Sequence, residues 1–346
     1  MRAFLSSRKA WFAALIALMT PCVCLADPAE FYRGRTVRLI VDTGSGEGYD
    51  AVGRLVARYL GNHLPGNPRI VVENMPGADG VVAANYISNV APRDGSVLIT
   101  VNNAMPFYQA TGHDGVRYRA EKLSWIGSFP QDTALVSVWY TTGVRSIEDA
   151  KKRPIVMGAI GTRGTMAGYP ALLNSVFGTK FKIIAGYTSS SAVDLAIERG
   201  EVEGRGATTW STFKMTKPMW IKEGKIVPIL QIGTRKSPDL PNVPLLIDLA
   251  KTEEQKQLFT FISETRALGQ PFAAPPDIPK DRLEALRAAF MALGEDEGFA
   301  ASVLKVVGPQ SETRLIPGAE VEKIVRDTVN TPPALANRAN AAMRVR

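Results

Sequence analysis

Cysteine is almost missing from this chain. Its two cysteines, Cys22 and Cys24, both fall before Asp27, in a stretch with the marks of a secretory signal. Arg2, Arg8 and Lys9 form a basic n-region, 10–19 is apolar, and Cys24 and Ala26 supply small residues before the expected cleavage after Ala26. As a helix the apolar run spans ~15 Å, about half of the ~30 Å hydrocarbon core, so it reads as a signal and not as a membrane span. Pro21 and Val23 precede the cysteines where a lipoprotein site would need a small residue. Removal of 1–26 leaves no disulfide, no thiolate nucleophile and no cysteine metal ligand, and places the chain in the periplasm.

Histidine is equally scarce. His63 and His113 both sit in loop-like surroundings and read as surface residues, too few for a zinc site or a histidine-based triad. G-x-S-x-G is absent. No catalytic residue, metal or cofactor is expected. The formal net charge of +8 loses three with the signal, and the remaining cations are interleaved with acids. That pattern argues for an even surface with some attraction for anions and gives only weak support for nucleic acid, so no nucleic-acid partner is expected.

What is present is alternation. Strand-like runs at 36–41, 69–72 and 97–101 are separated by helical patterns, one carrying Val52, Leu55, Val56 and Leu60 on a single face. This predicts a βαβαβ unit with a parallel sheet. The alternation restarts with strands at 134–140, 155–159, 182–184 and 226–232 and a helix at 192–199. The segment after 250 reads as mostly helical. The length exceeds a single core, so two lobes are expected.

Between the first strand and helix lies Gly44-Ser45-Gly46-Glu47-Gly48-Tyr49-Asp50. It fails as a dinucleotide loop, because Tyr49 stands where the third glycine belongs and the next strand-end acid, Glu73, is too distant. No Gly-Lys-Ser/Thr follows, so it is not a P-loop. What survives is a turn exposing backbone N–H groups at a helix start, a seat for a small anion. Asp50 fits an N-cap.

The segments TVRLIVDTGSGEGYDAVGRLVARYL, VVENMPGADGVVAANYI, APRDG, GTRGT, GYTSSSAVDLAIERGEVEGRG and LPNVPLLIDLA together resemble, in order, the signatures of the tripartite tricarboxylate transporter substrate-binding proteins, also called Bug receptors. The resemblance implies an α/β, two-lobed periplasmic binding protein fold of type II, with two Rossmann-like domains joined by two crossover segments. The first lobe would comprise 27–133 and 250–346, the second 134–249. The implied ligand is a small organic acid or acidic amino acid, held by backbone groups and hydroxyls. Residue by residue, it implies a site built from Thr43, Gly44, Ser45, Gly46, Tyr49 and Asp50, with Gly77 and Ala78 as a second glycine-rich turn. The other lobe would add Gly161, Thr162, Arg163, Gly164, Thr165, Tyr187 and Ser189. Asn102 and Asn103 join them because strand C-terminal ends face the crevice.

Two residues depart from the family's pattern. Glu47 interrupts a run that is usually glycine, and reads as pointing to solvent. Arg163 stands where small residues are usual; it either clamps a carboxylate or is a solvated loop arginine. Tyr49, Tyr187 and Trp210 read as packing residues that would otherwise stack on an aromatic acid. The expected function is that of a monomeric, non-catalytic solute receptor serving membrane permease subunits. The alternative is a co-receptor for a sensor kinase.

Overall fold

The computed structural model describes residues 27–130, 133–306 and 314–345; the export signal read at the N-terminus lies outside the described residues. Strands β1 (Thr36–Val41), β2 (Arg69–Asn74) and β3 (Val97–Thr100) run parallel, with β1 between the other two. Helices Gly48–His63 and Val81–Asn89 make the crossovers. Val37, Leu39, Ile40 and Val41 are wholly buried, as expected of a parallel strand covered on both faces. The helix Gly48–His63 seals one face with Val52, Leu55, Val56 and Leu60.

Eight further strands follow: β4 (Ser124–Phe129), β5 (Ala134–Trp139), β6 (Ile155–Ala159), β7 (Phe181–Ala185), β8 (Gly204–Thr209), β9 (Ile226–Ile232), β10 (Gln270–Ala274) and β11 (Ile316–Pro317). They complete one sheet in the order β11-β4-β10-β3-β1-β2 and a second in the order β7-β6-β8-β5-β9. The sequence predicted neither β4, β8, β10 nor β11. In the first sheet β10 is antiparallel to β3 and β4, and in the second β5 is antiparallel to β8 and β9. Both sheets are therefore mixed.

The chain passes from the first sheet to the second between β4 and β5, and returns between β9 and β10. Helices Lys280–Ala292 and Gly318–Val329 pack on β4. The last helix, Pro333–Met343, lies instead against the helix Thr165–Phe177, where Gly168 faces Met343. That contact ties the C-terminal segment to the half of the molecule that holds β6 and β7.

Candidate functional site

A cavity of about 340 Å³ opens between the two halves. From the first-sheet side it is lined by the residues that follow β1, by the Pro76–Gly80 turn, by Asn102 just beyond β3, and by Arg266. The second half contributes the starts of three helices: Thr165 and Met166, then Thr188 to Ser191, then Thr209 and Thr212. Carboxyl ends of strands and amino ends of helices thus converge, as open α/β sheets dictate.

Of the residues expected at the site, Thr43, Gly44, Gly46, Tyr49, Gly77, Asn102, Thr165 and Ser189 line the cavity. Ser45, Ala78 and Thr162 are exposed away from its wall. Asn103 is buried below it, donating to the Gly269 carbonyl at 2.9 Å and accepting from Arg266 at 3.0 Å. Tyr187 packs on the second half's hydrophobic core with Trp210, in the packing role expected of both. Asp50 is not the N-cap. The helix begins at Gly48 with Glu47 in the cap position. Asp50 sits in the first turn, accepting from Gly46 N at 2.8 Å, Arg54 Nε at 2.9 Å and Asn74 Nδ2 at 2.8 Å. It braces the turn from behind.

Glu47 does not point to solvent. It is 7% exposed and lines the cavity, with Oε1 accepting from Gly44 N at 3.2 Å. Burial pushes its carboxyl up, against the Ser190 hydroxyl and the Arg205 charge. Asp42, which the sequence reading passed over, is 3% exposed on the same wall. Its Oδ2 accepts from Asn102 N at 2.6 Å, while Oδ1 has no partner. Burial pushes Asp42 up to about 7, aided by the charges of Glu47 and Asp79. Gly80, at φ +91°, is where the wall turns, and a side chain there would overlap the Asp42 carboxylate.

Five of the amides around the cavity are thus already occupied. Gly44 N is held by Glu47, Gly46 N by Asp50, Asn102 N by Asp42, Asn103 N by Tyr49 Oη at 3.1 Å, and Thr165 N by Tyr108 Oη at 3.3 Å. In the turn after β1 the chain's own carboxylates fill the Gly44 and Gly46 amides that the glycine pattern offered to an anion.

Arg205 and Asp194, also absent from the sequence-based set, form a buried ion pair on the cavity wall, Nη1 to Oδ1 2.5 Å. Their signal was present: Arg205 lies inside a strand and Asp194 on the helix preceding it, both within a motif quoted above. A strand of glycines and threonines was not recognised, so its charge was not placed.

The halves touch around the cavity. Gly48 abuts the Thr212 side chain, and the Asp79 carboxylate fits into the loop between Gly161 and Gly164, where a Cβ at Gly164 would overlap it. Arg163 does not line the cavity. It reaches across to Asp114 at 3.1 Å and to the Gly112 carbonyl at 3.3 Å. His113, between them in sequence, stacks on Tyr108 at 4.6 Å, and His63 pairs with Asp296 at 2.8 Å. Among the described residues there is no cluster of three or more metal-ligating side chains.

No family model matches the chain. A UPF0065 protein of Bordetella bronchiseptica is 26% identical over 193 residues, a match covering 54% of this chain. The chain spans about half the length of that relative, 55%. The solved periplasmic binding protein BugD superposes with a TM-score of 0.68 at 18% identity, over 90% of this chain and 99% of BugD. The fold is that of BugD. MatC from Rhodopseudomonas palustris, with bound malate, shares it at a TM-score of 0.67 and 16% identity, over 89% of this chain and 99% of MatC. A TctC solute-binding protein from Polaromonas matches at 0.58 and 18%, again over 89% and 99%. Of these neighbours, the Polaromonas protein is a solute-binding protein and BugD a periplasmic binding protein. Among the described residues of this Bug-fold chain, no helix is long and apolar enough to cross a membrane.

On this Bug fold, Arg163 is a strut between halves. Its partner Asp114 is largely exposed, so the pair contributes at most about 1 kcal/mol. An Arg163→Ala variant is therefore expected to weaken ligand binding by no more than about fivefold, through a smaller closed population. Calorimetric titration measures this. A loss of about a hundredfold would mean that Arg163 contacts the ligand itself.

Proposed function

We propose that this chain is a periplasmic solute receptor that takes a small organic carboxylate between its two halves and presents it to the membrane subunits of a tripartite tricarboxylate-type permease. The observation that carries the reading is the cavity of about 340 Å³ walled by both halves. It lies at the small end of the roughly 300–1,000 Å³ range of ligand pockets, and its wall combines polar side chains and peptide groups with apolar surface from Ile160, Met166 and Ala207. MatC, which shares the fold, holds malate.

The mechanism is a population shift. A ligand seated against Thr43 and Asn102 on one side and Ser189 and Thr208 on the other gains its second set of contacts only when the halves meet. That difference in contact drives closure. Micromolar affinity needs ~8 kcal/mol, and hydrogen bonds to a charged ligand contribute roughly 1.5–3 kcal/mol each. Four or five such bonds suffice without chemical turnover.

Native mass spectrometry of protein purified without refolding, followed by a thermal-shift screen of organic and amino acids, tests this. The expected result is one small carboxylate that raises stability by ~2.7 kcal/mol at a hundred times its Kd. Absence of any stabilising small molecule, or turnover of an ester or amide, overturns the reading.

A further inference from the structure

The cavity wall carries more acid than a receptor for multiply charged anions would tolerate. Asp42, Glu47, Asp79 and Asp194 line it, against Arg205, Arg266 and Lys217. The cations are engaged by the protein itself. Arg205 is paired with Asp194 at 2.5 Å, Lys217 with Glu198 at 3.2 Å, and Arg266 donates to Asn103 at 3.0 Å. Asp42, Glu47 and Asp79 form no ion pair with any described residue. Asp42 in particular is almost wholly buried and keeps one carboxylate oxygen without a partner.

We propose that the ligand is a small zwitterion with a single carboxylate, its protonated amine turned to Asp42 and Glu47 and its carboxylate to Arg205 and Thr208.

The inference rests on the receptor reading above and narrows it. Three observations carry it. Three peptide N–H groups that would hold an anion on the first-sheet side, those of Gly44, Gly46 and Asn102, are filled by Glu47, Asp50 and Asp42. What that side still offers is acceptors: Asp42 Oδ1, which is buried and unpartnered, and Glu47. The second half is the opposite. Arg205 keeps Nε–H, and Thr208 its hydroxyl, buried without partners, so donors remain where a carboxylate would arrive. Unsatisfied groups of opposite character therefore belong to residues that line one cavity from its two halves, and a ligand carrying both charges would satisfy both. A second carboxylate would have to settle beside Asp42, Glu47 or Asp79, and like charges that close, partly shielded from solvent, repel.

The test is a calorimetric series on the purified protein with four-carbon acids of stepped charge, at about pH 7, where carboxyls are ionised and amines protonated. Succinate is doubly negative, aspartate singly negative, 4-aminobutyrate neutral overall and 2,4-diaminobutyrate singly positive. The expected order places the two acids with one carboxylate and an amine first, ahead of succinate by roughly ten- to a hundredfold. Asp42→Asn is expected to erase that preference while leaving the fold intact. Glu47→Gln, which removes the second acceptor, should reduce it and serves if the first variant fails to fold. Tightest binding by succinate, or an order that neither substitution changes, overturns the zwitterion and leaves the receptor standing. If none of the four binds and another organic acid without an amine does, the zwitterion falls and the receptor stands; if no small molecule binds at all, both fall.

Discussion

An Arg205→Met variant is expected to lose about 3–5 kcal/mol of folding stability, the largest effect of any single side-chain change around the cavity. Arg205 is 4% exposed and its partner Asp194 is 6% exposed. The guanidinium holds Asp194 at 2.5 Å and the Ser190 carbonyl at 3.2 Å. Removing it strands a carboxylate in low dielectric, with the start of the helix Ser190–Glu198 losing its anchor to β8. The attraction between the two charges is not itself the source of the loss, because burying both has already cost most of what their attraction returns. The double variant Arg205→Met with Asp194→Leu should therefore recover most of the stability. Chemical unfolding of the two variants measures this. Equal losses in the single and the double variant would show that packing, and not the orphaned charge, is at stake.

Asp42→Asn is expected to act in the opposite direction, stabilising the protein as the pH rises. Burial pushes this carboxyl up to about 7, and Glu47 and Asp79 on the same wall push in the same sense. Tyr49 and Tyr118 also face it and stay neutral, their hydroxyls raised by burial. A carboxyl raised in the folded state favours folding while it is protonated, and that contribution is lost as pH rises from about 4 to about 7. A shift of about three units corresponds to about 4 kcal/mol. Asparagine does not titrate, keeps an acceptor for Asn102 N, and removes the loss. The advantage of the variant should be small near pH 4, grow through pH 5 and 6, and be largest, up to about 4 kcal/mol, near pH 8. Asp50 and Asp94, held below the usual range despite their burial by hydrogen bonds and neighbouring arginines, give the reverse slope only below about pH 4. The two windows do not overlap. A gap between variant and parent that is constant from pH 5 to pH 8 would mean that Asp42 is ionised throughout.

How legible the molecule was from its residues varies by element, for physical reasons. β1, β6 and β9 have the bounds that their β-branched runs predict, since a strand covered on both faces is written as a continuous apolar stretch. β8, Gly-Arg-Gly-Ala-Thr-Thr, has neither alternation nor an apolar run, and Ala207 within it has φ +60°. β10 holds Pro271, which speaks against an inner strand. Yet it lies between β3 and β4, with a register shift at Phe272/Ala273 easing the fit.

The site divides in the same way. That the turn after β1 would border the cavity was readable, because a glycine-rich link from strand to helix must lie at the strand's carboxyl end. That its amides would be satisfied internally was not. Asp42 meets Asn102 and Asp194 meets Arg205 only when separate segments converge, and no local period encodes either meeting. Arg163 was read as a ligand clamp or a free loop residue, and became a strut because Asp114 arrives from the other half.

The sequence by itself determined the α/β alternation, the two-unit organisation and the glycine turns, since these follow from short-range periodicity and backbone sterics. Only the tertiary structure decided which polar groups are spent on the protein and which are left for a ligand. Burial is a property of the whole assembly, and the same carboxylate is an ordinary solvated charge in the chain and an unmet acceptor once two sheets close around it.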